Sequence, residues 1–94
     1  MVKNLTSPRS GRAVANQFVI TTNKGVFFQS YHSIVAKIDK KGQVWVSSYW
    51  DYSQTTTKYL YQFLKGYGWY GLNASKVRKH IKDGTFKYKE RLEI

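Results

Sequence analysis

Hydrophobic and polar residues alternate at two-residue spacing through the first half of the chain, which is the period of a half-buried β-strand. Three segments have this character: residues 17–22, 26–38 and 43–49. Short polar turns that end at Gly25 and Gly42 separate the three segments, so the pattern predicts an antiparallel meander. The middle segment is long for one strand, and the polar run Ser30–Ser33 predicts a bend or bulge within it.

The hydrophobic period changes to that of a helix in the second half of the chain. The apolar positions after Ser53 are Thr56, Tyr59, Leu60, Phe63 and Leu64. Ser53 is predicted to cap this helix, and Gly66 is predicted to end it. A second helix is predicted from about residue 74 to residue 83, between Asn73 as its cap and Gly84.

Residues 85–92 return to an alternating pattern, in which Phe86 and Tyr88 are separated by lysines, and this predicts a final edge strand. The expected fold is therefore α+β: a three-stranded antiparallel meander followed by two short helices and a final edge strand, in the order β-β-β-α-α-β. We expect residues 1–15 to form a flexible basic arm, because Ser-Pro and Ser-Gly pairs interrupt it. Residues 16–94 are expected to form a single domain.

Composition narrows the chemistry that the chain can support. It has no cysteine, only two histidines and only five acidic residues, so disulfide scaffolds, thiolate metal sites and cysteine nucleophiles are excluded. We therefore expect no metal, no cofactor and no catalytic activity. No segment has the length of apolar sequence that a membrane span needs, and the polar, basic first 12 residues do not resemble a secretory signal. These features predict a cytoplasmic protein.

The net charge of +11 predicts attraction to a polyanion, since cations near phosphates release condensed counterions. The positive residues are spread along the chain, and a generally basic, solvated surface is the simpler alternative. The predicted nucleic-acid-binding residues are Arg9, Arg12, Lys76, Arg78, Lys79, Lys82, Lys87 and Lys89. Four of them crowd the second predicted helix.

The segment between the predicted helices, Gly66–Gly71, has the spacing G-x-G-x-x-G. The dinucleotide-binding version of this pattern follows a strand, whereas here a helix precedes it. Its aromatic residues Tyr67, Trp69 and Tyr70 have three possible roles. They can pack on the core, stack on unpaired bases, or anchor a protein interface.

Two polar clusters, Gln29–Ser33 and Asp51–Ser53, stand out beside the apolar pattern. A hydrolase would use Asp51 to orient His32, which would then activate a serine. The candidate serines are Ser30, Ser33 and Ser53. No oxyanion-hole motif accompanies them, and the alternative is that they satisfy backbone groups at the bend and the helix start.

Spaced motifs across residues 10–65 resemble a family of small proteins of unassigned function that occur on phages, plasmids and other mobile elements of bacteria. The motifs are Ser10-Gly11-Arg12, Asn16-Gln17-Phe18, Phe28-Gln29-Ser30-Tyr31, Ser33-Ile34, Trp50-Asp51-Tyr52-Ser53, Thr55-Thr56, Tyr59-Leu60 and Phe63-Leu64. The resemblance implies an accessory protein in a bacterial cytoplasm. Such proteins commonly regulate the DNA of the element or inhibit host defence and replication enzymes, including CRISPR effectors.

Charge, aromatic residues and this implied setting favour a non-catalytic protein that binds nucleic acid or a nucleoprotein complex. The alternative is an inhibitor of a host defence or nucleic-acid enzyme, similar to an anti-CRISPR protein, that acts through protein contacts. A hydrolase that uses His32 and Asp51 is the third hypothesis.

Overall fold

Six strands form one mixed sheet in the computed structural model, which describes residues 1–94. The strands are β1 (Val2–Thr6), β2 (Ala13–Thr22), β3 (Gly25–Ser30), β4 (Ser33–Asp39), β5 (Val44–Val46) and β6 (Lys87–Tyr88). They lie side by side in chain order, antiparallel from β1 to β5. Helices α1 (Gln54–Lys65) and α2 (Ala74–Asp83) carry the chain from β5 to β6, which pairs with β5 in parallel.

The predicted three-stranded meander is wrong at the N-terminus, because the sheet begins with β1. Val2 pairs with Ile20 of β2, and the Asn4 side chain donates a hydrogen bond to the Val14 carbonyl oxygen at 2.8 Å. Leu5 packs against the core. The segment that we expected to be a flexible arm therefore contributes a strand, because the edge of β2 offers it unpaired backbone groups.

The predicted middle strand is also wrong, because residues 26–38 form two strands. Ser30 pairs with Ser33, so the polar interruption is a two-residue turn at Tyr31-His32 rather than a bend. A register shift does occur, but it lies further along the hairpin, between Phe28 and Gln29. A sharp turn was not evident from the sequence because neither turn residue is a glycine or an asparagine.

The final strand is shorter than predicted, and it is parallel to its neighbour. Only Lys87 and Tyr88 pair with β5, instead of the whole segment 85–92. The chain then leaves the ladder, and the Ser48 amide and hydroxyl both donate to the Glu90 carbonyl oxygen. The observed order is therefore five strands, two helices and one short strand.

The two predicted helices are confirmed, together with their caps. The Ser53 hydroxyl accepts a hydrogen bond from the Thr56 amide at the start of α1. The Asn73 side-chain oxygen likewise accepts a hydrogen bond from the Lys76 amide at the start of α2. Gly84 ends that helix in the left-handed conformation.

Both helices pack on one face of the sheet and form the main core with it. Phe28 of β3 stacks on Phe63 of α1 with ring centroids 5.7 Å apart, and α2 buries Val77 completely. Side chains alternate along a strand, so Phe27 faces the opposite side. There the Lys37 ammonium lies 5.3 Å from the centroid of the Phe27 ring.

Candidate functional site

A shallow groove of about 520 Å³ lies between the α1–α2 loop and α2. We call it the loop groove, and its lining residues are Gly68, Trp69, Tyr70, Leu72, Lys76, Lys79 and His80. Gly68 and Gly71 of this loop both have positive φ, a backbone conformation that glycine adopts without strain. The glycine spacing therefore shapes a helix-to-helix loop and does not cradle a dinucleotide after a strand.

The three aromatic residues of this loop have different positions. Trp69 packs inward, with its ring centroid 4.8 Å from that of Phe86 and 5.4 Å from that of His80. Tyr67 lies against Phe63 and is 47% exposed, whereas Tyr70 is 70% exposed. Trp69 therefore anchors the loop to the core, and Tyr70 is the ring that is most available to a partner.

Two of the predicted lysines line the loop groove with Tyr70. Lys76 lies one turn from Lys79 on α2, and its ammonium donates a hydrogen bond to the Gly71 carbonyl oxygen at 3.1 Å. The acidic residue nearest to them in sequence is Asp83, whose carboxylate accepts hydrogen bonds from Thr85, and these lower its pKa. The groove is therefore cationic on its helix side and aromatic on its loop side.

The other predicted cations do not join this groove. Arg78 stacks over the Trp50 ring, with its guanidinium carbon 5.5 Å from the ring centroid, and Lys82 is exposed further along α2. Arg9 and Arg12 are exposed in the β1–β2 turn, at the opposite edge of the sheet from β6. Lys87 and Lys89 are exposed at the β6 edge. The predicted basic residues thus form several separate patches.

A second concavity, of about 600 Å³, lies between the β3–β4 turn and the start of α1. We call it the hydroxyl cleft, and its lining residues are Ser30, Tyr31, His32, Ser33, Val35, Tyr49, Tyr52, Ser53, Thr55 and Thr56. It brings together residues from both polar clusters that the sequence singled out.

A short chain of hydroxyl groups forms the inner wall of the hydroxyl cleft. The Ser30 hydroxyl is 3.0 Å from the Thr56 hydroxyl, which also accepts a hydrogen bond from Ser53 at 3.1 Å. Ser30 and Thr56 are both buried. Gln17 is fully buried and pairs with Ser30 across the sheet, but neither polar atom of its amide has a hydrogen-bond partner.

The geometry does not assemble the triad that a hydrolase would need. The bonding partner of Ser30 and of Ser53 is Thr56, not His32. Asp51 is outside the lining of the cleft. Ser53 therefore caps α1, which is a structural role that the sequence left open, and Ser30 ties the helix to β3.

Sequence reasoning identified most of the polar residues of the hydroxyl cleft but not that they share a cavity. It missed Tyr49, Thr55 and Thr56. Tyr49 was assigned to the end of a strand and Thr56 to the apolar face of the first helix, and Thr55 was given no role outside the family motif. The hydroxyl- and tyrosine-rich run from Ser47 to Thr57 is the signal that points to them. No group of histidine, cysteine and acidic side chains is arranged to hold a metal ion.

These features define a small α+β protein in which two helices cover one face of a mixed sheet and two concavities flank the helices. The chain belongs to a family of unknown function, DUF8033, whose sequence profile matches residues 1–84. No curated protein and no solved structure is significantly similar to it. Neither helix has the length and apolar character needed to cross a membrane.

Proposed function

We propose that the protein binds nucleic acid, alone or within a nucleoprotein complex, without catalysing a reaction on it. The observation that carries this proposal is the loop groove, where the exposed ring of Tyr70 lies beside Lys76 and Lys79. In a nucleic-acid strand, a base can stack on the aromatic ring while the neighbouring phosphates contact the cations.

Stacking on Tyr70 favours unpaired strands over duplexes. A base can stack on Tyr70 only if it is free of its own neighbours, and such stacking contributes about 1–3 kcal/mol per base. Lys76 and Lys79 would contact the flanking phosphates, and the net charge of +11 would attract the strand from a distance. Trp69 contributes indirectly, because it holds the loop in place.

The setting that we propose is the cytoplasm of a bacterium, with the protein encoded by a phage or another mobile element. This part of the proposal is supported by the sequence motifs between residues 10 and 65.

The test compares two double variants by fluorescence anisotropy with labelled single strands over a series of salt concentrations. Lys76→Gln/Lys79→Gln should reduce the slope of log K against log salt by about 1.4 units, if each lysine contacts one phosphate. Lys40→Gln/Lys41→Gln is the matched control, because it removes the same charge from exposed residues of the β4–β5 turn. Equal slopes for the two variants would contradict the assignment of the loop groove.

Tyr70→Ala tests the stacking contribution separately from charge. Loss of about 1–3 kcal/mol predicts binding that is roughly 5- to 150-fold weaker at every salt concentration, with little change in slope. Unchanged affinity in Tyr70→Ala would remove the aromatic part of the proposal.

Inhibition of a host enzyme through protein contacts is the second candidate, and the exposure of Tyr70 favours it too, since tyrosine is enriched at interface hot spots. In that case Tyr70→Ala would abolish capture of a protein partner and leave the affinity for nucleic acid unchanged.

A further inference from the structure

The hydroxyl cleft is an uncharged cavity on a strongly basic protein. Its ten lining residues include no lysine, arginine, aspartate or glutamate, although the chain carries a net charge of +11. Its volume of about 600 Å³ is within the range of sites that hold small organic groups. The cleft is therefore suited to a neutral group with polar edges rather than to a phosphate.

Three tyrosine rings line the hydroxyl cleft and give it aromatic walls. Tyr52 is 77% exposed and Tyr31 is 47% exposed, so both rings are open to a ligand, while Tyr49 is partly buried. Flat apolar rings of this kind stack on other flat rings, and the phenol groups remain available for hydrogen bonds.

The polar groups of the hydroxyl cleft both donate and accept hydrogen bonds. Serine and threonine hydroxyls can do either, and the exposed His32 ring adds two nitrogen atoms. The edge of a nucleobase offers donors and acceptors close together. The Ser30 and Thr56 hydroxyls are buried and bonded to each other, so they form the floor of the cleft. The hydroxyls of Ser33, Ser53 and Thr55 are less buried and would meet the base.

Tyr31 is held at the rim in an unfavourable backbone conformation. Its φ of 55° lies in the left-handed region, where a turn of this kind ordinarily has glycine or asparagine. Its amide donates to the Asn16 carbonyl oxygen and its own carbonyl oxygen accepts from the Gln29 side chain, both at 2.7 Å. The fold therefore fixes a tyrosine at a position where the backbone alone would favour a smaller residue.

We propose that the hydroxyl cleft takes one unpaired nucleobase of a bound strand, with tyrosine rings against its faces and hydroxyl groups at its edge. This inference rests on the proposed function, because the loop groove and the basic surface would hold the strand that supplies the base. A free nucleoside monophosphate presents the same chemistry, so the experiment must distinguish the two sources.

The experiment uses single strands with one 2-aminopurine at successive positions, and it follows the fluorescence of that base as protein is added. Entry into the cleft should change the emission at one position more than at the others. Tyr52→Ala should remove this position-specific change and weaken strand binding roughly 5- to 150-fold. Tyr88→Ala is the matched control, because Tyr88 is 48% exposed on β6, outside the cleft, and it should leave both readouts unchanged.

Tyr31→Asn separates binding from folding. Asparagine tolerates the left-handed conformation better than tyrosine, so the melting temperature should stay level or rise while strand binding weakens. A parallel loss of melting temperature and binding would assign Tyr31 a structural role only.

Two results would overturn the proposal in different ways. If the wild-type protein binds strands but no 2-aminopurine position responds and Tyr52→Ala binds normally, the cleft proposal fails and the proposed function stands. If the wild-type protein binds no strand, both fail. In that second case, binding of free adenosine monophosphate that is lost in Tyr52→Ala would assign the cleft to a free nucleotide instead.

Discussion

Gln17 is fully buried on the helix side of β2, and its amide has no hydrogen-bond partner. A buried polar group without a partner typically costs about 1–3 kcal/mol of stability. Ser30 pairs with Gln17 across the sheet, but the Ser30 hydroxyl is hydrogen-bonded to the Thr56 hydroxyl instead. The layer under the hydroxyl cleft is therefore less stable than an apolar layer of the same shape would be.

Replacement of this amide tests that statement directly. Gln17→Met keeps the length of the side chain and removes the unpaired atoms, so the free energy of unfolding should rise by about 1 kcal/mol. Gln29→Met is the control, because the Gln29 amide donates to the Tyr31 carbonyl oxygen, and its loss should lower the free energy by about 0.5–1.5 kcal/mol. Urea titrations of both variants give the comparison, and a destabilised Gln17→Met would contradict it.

Asp39, at the β4–β5 turn, makes a pH-dependent contribution to the stability of the folded state. The Trp45 indole N–H donates to one carboxylate oxygen at 3.0 Å, and the Gln43 and Lys41 amides donate to the other. These bonds, with that of Trp45 the largest cause, hold the pKa of Asp39 below its ordinary value of 3.8. They favour the ionised form in the folded state only.

The sign of the effect follows from that lowered pKa. The stabilisation from Asp39 should be complete above about pH 4 and should be lost as the pH falls through the lower pKa of the folded state. Carboxylates titrate in the acid range, on the order of pH 2 to 5. Between about pH 5 and pH 2, the melting temperature of Asp39→Asn should therefore fall less than that of the wild type. Parallel melting curves for the two proteins across this range would refute the role of Asp39.

Among the elements, β3 and β4 approach each other closely at Gly25. Gly25 has a φ of +143°, and a Cβ placed there would collide with the Ile38 carbonyl oxygen. Since that oxygen belongs to the backbone of the paired strand, it can move only if the strand moves. The β2–β3 turn therefore requires glycine at this position.

Alanine substitutions at two turns make this requirement measurable. Gly25→Ala should lower the free energy of unfolding by about 3 kcal/mol or more, because it combines overpacking with an unfavourable φ. Gly42→Ala, where φ is +85° and no atom lies within 4 Å, should cost only about 1–2 kcal/mol. If denaturant titrations show similar losses in the free energy of unfolding for the two variants, a small shift of the strand is enough to relieve the collision at Gly25.

The elements that the sequence predicted well are those whose signals are local. Ser53 and Asn73 form caps with amides three residues away, so each helix start could be predicted without knowledge of the rest of the fold. The pairing of β1 with β2 spans a long turn, and no local sequence signal predicts that the two strands pair. The Tyr31-His32 turn was missed because its geometry is enforced by Asn16 and Gln29, not by a glycine.

For the whole molecule, the distribution of charge separates long-range attraction from local recognition. The net charge of +11 comes from cations on the strands, on the turns and on both helices. At physiological salt such charges act over about 8 Å, so only those near the loop groove add to local recognition of a strand. The lysines of that groove could be predicted from helical spacing, but the inward position of Trp69 depends on Phe86, which is distant in sequence.

Fluorescence anisotropy of the wild-type protein with single- and double-stranded DNA and RNA, at ~50 and ~200 mM salt, shows whether the protein recognises unpaired strands. We expect micromolar or tighter binding that persists at the higher salt and favours single strands, because stacking on Tyr70 is not screened by salt. Binding that disappears at the higher salt and favours no form of nucleic acid would contradict this expectation, since a basic surface alone produces that result.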